Sequence, residues 1–143
     1  MATLFPTPAP TLPEFRSLLI EGPFHPSAPI HLMLSHVALE PFRRTLMLSP
    51  SRKDFASALI NFDDEWLKIH GSEGRTCGAS SRVDILYPPT RAHLALILSM
   101  LHVHDGSFYH PKTTLSVAPS LLVLYETSTL CADDSSGPTC VIV

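Results

Sequence analysis

Leu121-Leu122-Val123-Leu124-Tyr125 is an unbroken apolar run, and it constrains the fold more than any other stretch of the chain. A short run with no polar alternation has no face to leave in water, so it reads as a strand covered on both sides, as at the centre of a parallel sheet. Parallel neighbours need crossover connections of helical length, and the sequence upstream supplies them.

Ser17-Leu18-Leu19-Ile20-Glu21 is a shorter apolar run that stops at Gly22-Pro23, which predicts a buried strand ending in a turn. After the loop PFHPSAP, Ile30, Met33, Leu34, Val37 and Ala38 recur at helical spacing; Pro29 suits a first turn and Pro41 ends the segment. Thr45-Leu46-Met47-Leu48-Ser49 is the next strand. Ser51 then caps a helix, with Asp54 three residues on; Phe55, Ala58, Leu59, Phe62, Trp66 and Ile69 form one apolar stripe ending before Gly71, and Asp63, Asp64, Glu65 and Lys68 populate the wet face. The glycine- and serine-rich GSEGRTCGASS reads as a loop leading to the strand Arg82 to Tyr87, stopped by Pro88-Pro89. Thr90 caps a last helix whose stripe, Leu94, Ile97, Leu98 and Leu101, is widened by Ala95, Leu96 and Met100, so this helix is expected to be covered on most sides. Four strands alternating with crossovers predict an α/β domain: a mostly parallel sheet flanked by helices over residues 15–131. Residues 1–14, punctuated by Pro6, Pro8, Pro10 and Pro13, and residues 132–143 read as flexible tails.

The chain has 143 residues, 45% of them hydrophobic, enough for one domain with a real core. A net charge of -3 with only 16% charged residues argues against a surface that binds nucleic acid throughout, so any DNA contact is local. Cys77, Cys131 and Cys140 have neither the number nor the spacing of a disulfide framework or a metal clip, which fits a reducing compartment. Nothing resembles a signal peptide or a spanning helix, so neither secretion nor a membrane is expected. Cys140-Val141-Ile142-Val143 has the outline of a prenylation box, but valine is an atypical last residue and no polybasic segment precedes it.

The turn at Gly22 is where a phosphate-binding loop would open. Laying GxxxxGK[ST] on it puts Ser27 at the second glycine, Ala28 at the lysine and Pro29 at the hydroxyl residue. Alanine cannot neutralise phosphate charge, and proline cannot hold magnesium. Glu126, directly after the apolar run, stands where an acid would hold metal through water. His102, His104, Asp105 and His110 invite a metal-dependent hydrolase as an alternative, although a pair two apart at a helix end points in different directions. Arg43, Arg44, Arg52 and Lys53 form the basic cluster of the chain, a candidate contact for a partner or for DNA.

LLIEGP, RTLMLSPSRKDF, VDILYPPTRAHLALILSML and SLLVLYETS, in that order, resemble the amino-terminal half of a RecA-like recombinase core. The similarity is greatest to the ATPase-like recombinase paralogues that pair with SWIM-domain proteins in Shu-type complexes, with YPPT and the leucine-rich helix as its most specific part. The resemblance spans roughly residues 15 to 130. It implies a degenerate P-loop at Gly22 and Ser27, and Glu126 at the Walker B acid. It also implies a subunit without bound cofactor that supports homologous recombination and DNA repair in the nucleus, with the cytoplasm as a second location. Its partner would be a SWIM-domain or other recombinase-paralogue protein, with single-stranded DNA reached through the complex. An ATPase completed by a partner, with Glu126 as its acid, is the enzymatic alternative. The kinship requires residues 17–21 to lie inside the parallel sheet.

Overall fold

The computed structural model describes the whole chain except residues 7, 22–24, 112, 132–139 and 143. Its elements are β1 (Leu19–Glu21), α1 (Ala28–Leu39), β2 (Thr45–Leu48), α2 (Arg52–Phe62), α3 (Glu65–His70), α4 (Gly74–Ser80), β3 (Val83–Leu86), α5 (Arg91–Met100), β4 (His102–Val103), β5 (Thr114–Leu115), β6 (Leu121–Leu124), α6 (Ser128–Cys131) and β7 (Cys140–Ile142). The fold is α/β, with a three-stranded parallel sheet flanked by helices.

The parallel strands are ordered β6-β2-β3, with Thr45 opposite both Leu121 and Val83. As the middle strand, β2 buries all four residues from Thr45 to Leu48. One face of the sheet presents Met47, Leu121, Val123 and Tyr125, which pack with Leu32 and Met33 of α1 and Phe55 of α2 into the core. The Phe55 and Tyr125 rings meet edge to face at 5.0 Å. On the opposite face Leu46 and Leu48 are buried, whereas Leu122 is 37% exposed.

The first strand departs from expectation. β1 lies at the margin of the sheet and pairs antiparallel with β7 alone, Leu19 opposite Ile142. β7 stands between β1 and β6, so the opening run is not a parallel neighbour of the central strands. Leu19, meant for a covered position, is 53% exposed. A three-residue run carries too little apolar surface to specify its neighbours, and pairing order is decided by which strand reaches the free edge.

Two helices also differ. The stripe from Phe55 to Ile69 is not one helix, because Asp63 adopts a left-handed conformation (φ 58) that closes α2 and Asp64 then caps α3 by accepting from the Leu67 N–H. Aspartates hydrogen-bond their own backbone readily, and two in succession offer a stop and a start. The supposed loop at 71–81 contains α4, whose buried Ala79 packs in the region where α4 meets α1; burial overrides the weak helix propensity of Gly and Ser.

The amino terminus is no loose tail. Thr3 bridges Thr11, Leu12 N–H donates to the Ala2 carbonyl, and Ser35 on α1 exchanges hydrogen bonds with the Thr3 backbone at 3.0 Å. Ala2 belongs to the core, and Leu4, Leu12 and Phe15 pack against it. The prolines exclude a helix here but not a folded-back loop. The expected carboxyl-terminal tail lies largely outside the described residues, apart from the backbone of β7.

Candidate functional site

In open parallel sheets, ligands gather at the carboxyl ends of the strands. Here that edge is formed by Ser49, Tyr125-Glu126 and Tyr87-Pro88, with the ladder prolonged by Tyr125 N–H to Leu48 O and Ser49 N–H to Leu86 O. β2 leads through Ser51, whose hydroxyl accepts from the Asp54 N–H, into α2. Glu126 follows β6 in a left-handed conformation, φ 52, which turns the chain toward α6. Burial pushes the Glu126 carboxyl above its ordinary value, and the Asp54 carboxylate near it adds to the rise. The Tyr125 hydroxyl is pushed up to about 12 by burial, with the charge of Glu126 in support.

An acid whose folded-state pKa is raised weakens the fold as it ionises, so stability is lost as pH rises above the ordinary 4.5 toward the higher folded value. Glu126→Gln is expected to be more stable than the parent at pH 7, with no advantage below 4.5, where both folded and unfolded parent are protonated. Glu126→Gly also relieves the left-handed backbone and should gain a further ~1 kcal/mol. Urea unfolding at pH 7 and pH 4 reads both; an unchanged Gln midpoint at pH 7 would refute a cost of burying this charge beside Asp54.

The other residues of the degenerate loop are used structurally. Gly22 lies outside the described residues. Ser27 is 1% exposed, and its hydroxyl donates to Asp64 rather than facing outward. Ala28 and Pro29 are buried in the first turn of α1, so the position that the template assigns to lysine holds a packed methyl group.

Asp64 is a hub that sequence reasoning placed on a wet helix face. Its carboxylate accepts from the Ser27 hydroxyl, from His31 Nε2 at 2.9 Å and from the Leu67 N–H at 3.0 Å. Burial pushes this carboxyl upward, but those hydrogen bonds outweigh it and bring the pKa down to about 2. Asp64 is then ionised at neutral pH, so Nε2 of His31 carries the proton it donates. Ser27 and His31 come from α1 and its cap, Asp64 from the cap of α3; the carboxylate ties the two helices. The signal available in the sequence was Asp63-Asp64 inside an apolar stripe.

The basic cluster is divided. Arg43 and Arg44 precede β2, where they pair with Glu40 and Asp84, while Arg52 and Lys53 open α2 beyond its other end. The four extended residues of β2, roughly 13 Å of strand, and then Ser49 to Ser51 lie between the pairs. The cations are neighbours in sequence but not one patch.

His102 is not at a helix end, since α5 stops at Met100 and His102 enters β4. Its Nδ1 faces the Met100 carbonyl at 2.9 Å, and its Nε2 lies 3.1 Å from the Thr114 hydroxyl. Its hydrogen bonds to the Met100 and Phe108 carbonyls raise its pKa, Met100 foremost. Asp105 caps its own loop through Ser107, and His104 meets the Tyr109 ring edge to face. Among the described residues, no three His, Cys, Asp or Glu side chains converge on a point that could hold a metal.

α5 presents a different surface. Pro88, fully buried, ends β3, and Thr90 caps the helix by accepting from the His93 N–H. Leu96, Leu98 and Met100 are 54%, 44% and 39% exposed, and no residue of the helix is buried. A helix apolar around most of its circumference is normally enclosed. Val103, Phe108 and Tyr109, beyond the helix, are exposed as well.

No helix among the described residues is long and apolar enough to cross a membrane. No protein-family model matches the chain, and neither a curated protein nor a solved structure matches it.

Proposed function

We propose that this chain is a non-catalytic binding subunit that works through protein–protein contact, with α5 as its principal docking element. The carrying observation is that Leu96, Leu98 and Met100 lie open to solvent on a helix whose composition belongs in an interior. Leu96 and Met100, four apart, share one face of the helix, and exposed apolar surface of this kind marks interaction sites. The filling of the template's lysine position by buried Ala28 and the engagement of Ser27 by Asp64 support a subunit that does not turn over nucleotide.

The resemblance supplies a setting: a recombinase-paralogue complex with a SWIM-domain protein, acting in homologous recombination and reaching single-stranded DNA through its partners. The quoted segments and the parallel core β6-β2-β3 support that setting. The marginal, antiparallel β1 counts against it, because the kinship requires that strand inside the parallel sheet. Co-purification with a SWIM-domain protein tests the setting separately from the docking surface. A complex that forms with a recombination protein and is lost on α5 substitution supports both; a partner unrelated to recombination would retain the surface and remove the setting.

Glu126, at the carboxyl edge of β6, favours the enzymatic alternative of an ATPase completed by a partner. ATP turnover by the assembled complex that vanishes in Glu126→Gln would select it.

A further inference from the structure

A cavity of about 340 Å³ lies between the folded-back amino terminus, α1, α3 and α4, and shares no residue with the carboxyl edge of the sheet or with the degenerate loop. Its wall is aromatic. The Trp66 indole stands edge to face with His31, centroids 5.2 Å apart, and tilts against His70 at 5.0 Å, while Phe5 lines the cavity from the amino-terminal loop. The loop is held in place there by the Thr3–Ser35 hydrogen bonds.

The polar groups of the wall differ in how far they are committed. His31 Nε2 is taken by Asp64, and Glu73 is taken by His70 Nδ1 at 2.7 Å. Arg75 lines the cavity and forms no ion pair among the described residues. Arg75 thus offers its guanidinium in the same wall as the indole, while the Glu73 carboxylate is held by His70. Guanidinium groups bind carboxylates and phosphates through paired N–H donors, and rings stack or pack edge-on against indole. The volume is at the low end of small-ligand sites, room for one or two rings.

We infer that this cavity is a binding site for a small planar aromatic anion, with Trp66 as the ring contact and Arg75 as the anion contact. The site is independent of the α5 reading, since it shares no residue with that surface.

Trp66 is the sole tryptophan of the chain, so its fluorescence and its indole N–H resonance report on this cavity alone. The full chain is titrated with 4-nitrobenzoate, and in parallel with the uncharged 4-nitrobenzamide. Saturable quenching and a shifted indole resonance with the acid, at least tenfold tighter than with the amide, are expected. Arg75→Ala should abolish that preference and Arg75→Lys should restore part of it; Arg75 is exposed, so neither change threatens the fold, and circular dichroism checks this. Equal affinity for acid and amide, an unaltered preference in Arg75→Ala, or no saturation by 10 mM, about the weakest affinity that such contacts would give, overturns the inference.

Discussion

Asp64→Ala is expected to lower stability by about 3 kcal/mol, a large share of what a domain of this size has to lose. The change removes the cap of α3, worth about 1 kcal/mol, and leaves the Ser27 hydroxyl and the His31 N–H inside the protein without their acceptor, at about 1 to 3 kcal/mol. Ser27 and His31 are 1% and 4% exposed, so water does not replace the carboxylate without local opening. Asp64→Asn separates the contributions, because the amide oxygen retains an acceptor for the Leu67 N–H while the charge is lost. The folded-state pKa is depressed from 3.8 to about 2, so the stabilisation is fully present above 3.8 and disappears as pH falls through about 2. Discounted for the partial solvent access of this carboxyl, it amounts to about 1 to 2 kcal/mol at neutral pH. Parent and Asn variant should therefore differ in denaturant midpoint at pH 7 and converge near pH 2. A constant difference across that range would show that charge plays no part in the hub.

Replacing Leu96 and Met100, four apart on one face of α5, together by glutamate is expected to weaken association with the partner by 100-fold or more. Two apolar anchors buried on binding contribute about 2 kcal/mol each at the centre of an interface, and unpaired carboxylates left there add to the loss. The same side chains are 54% and 39% exposed in the chain alone, where surface changes shift stability by only about 0.5 kcal/mol. Thermal unfolding should thus stay near the parent while binding collapses, and the variant should be the more soluble of the two. Equal loss of folding and binding would mean that α5 is a packed element of the domain, and retained binding would move the docking surface elsewhere.

The division of the 55–69 stripe shows why the candidate site was only partly legible. Periodicity registers which positions are apolar, and Phe55 is indeed core. It does not register that Asp63 and Asp64 make better local hydrogen bonds as a stop and a cap than as exposed helix residues. The acid that joins α1 to α3 was consequently assigned to solvent. The arginines show the converse: Arg44 and Arg52 look adjacent along the chain, but an extended strand carries them to opposite ends of the sheet. Glu126 was visible because an acid after an apolar strand is a local pattern; its pairing with Asp54 was not, since that depends on β6 and β2 becoming neighbours.

By itself the sequence determined the α/β class, the strands β2, β3 and β6 and the capped starts of α2 and α5, because apolar period, proline stops and side-chain caps act over a few residues. Tertiary structure alone decided that β1 sits at the margin, that the proline-rich amino terminus folds onto the core, that Asp64 gathers Ser27 and His31, and that α5 remains uncovered. Each of those outcomes depends on which distant surfaces compete successfully for the same neighbour, a free-energy difference between whole arrangements that no short stretch of chain encodes.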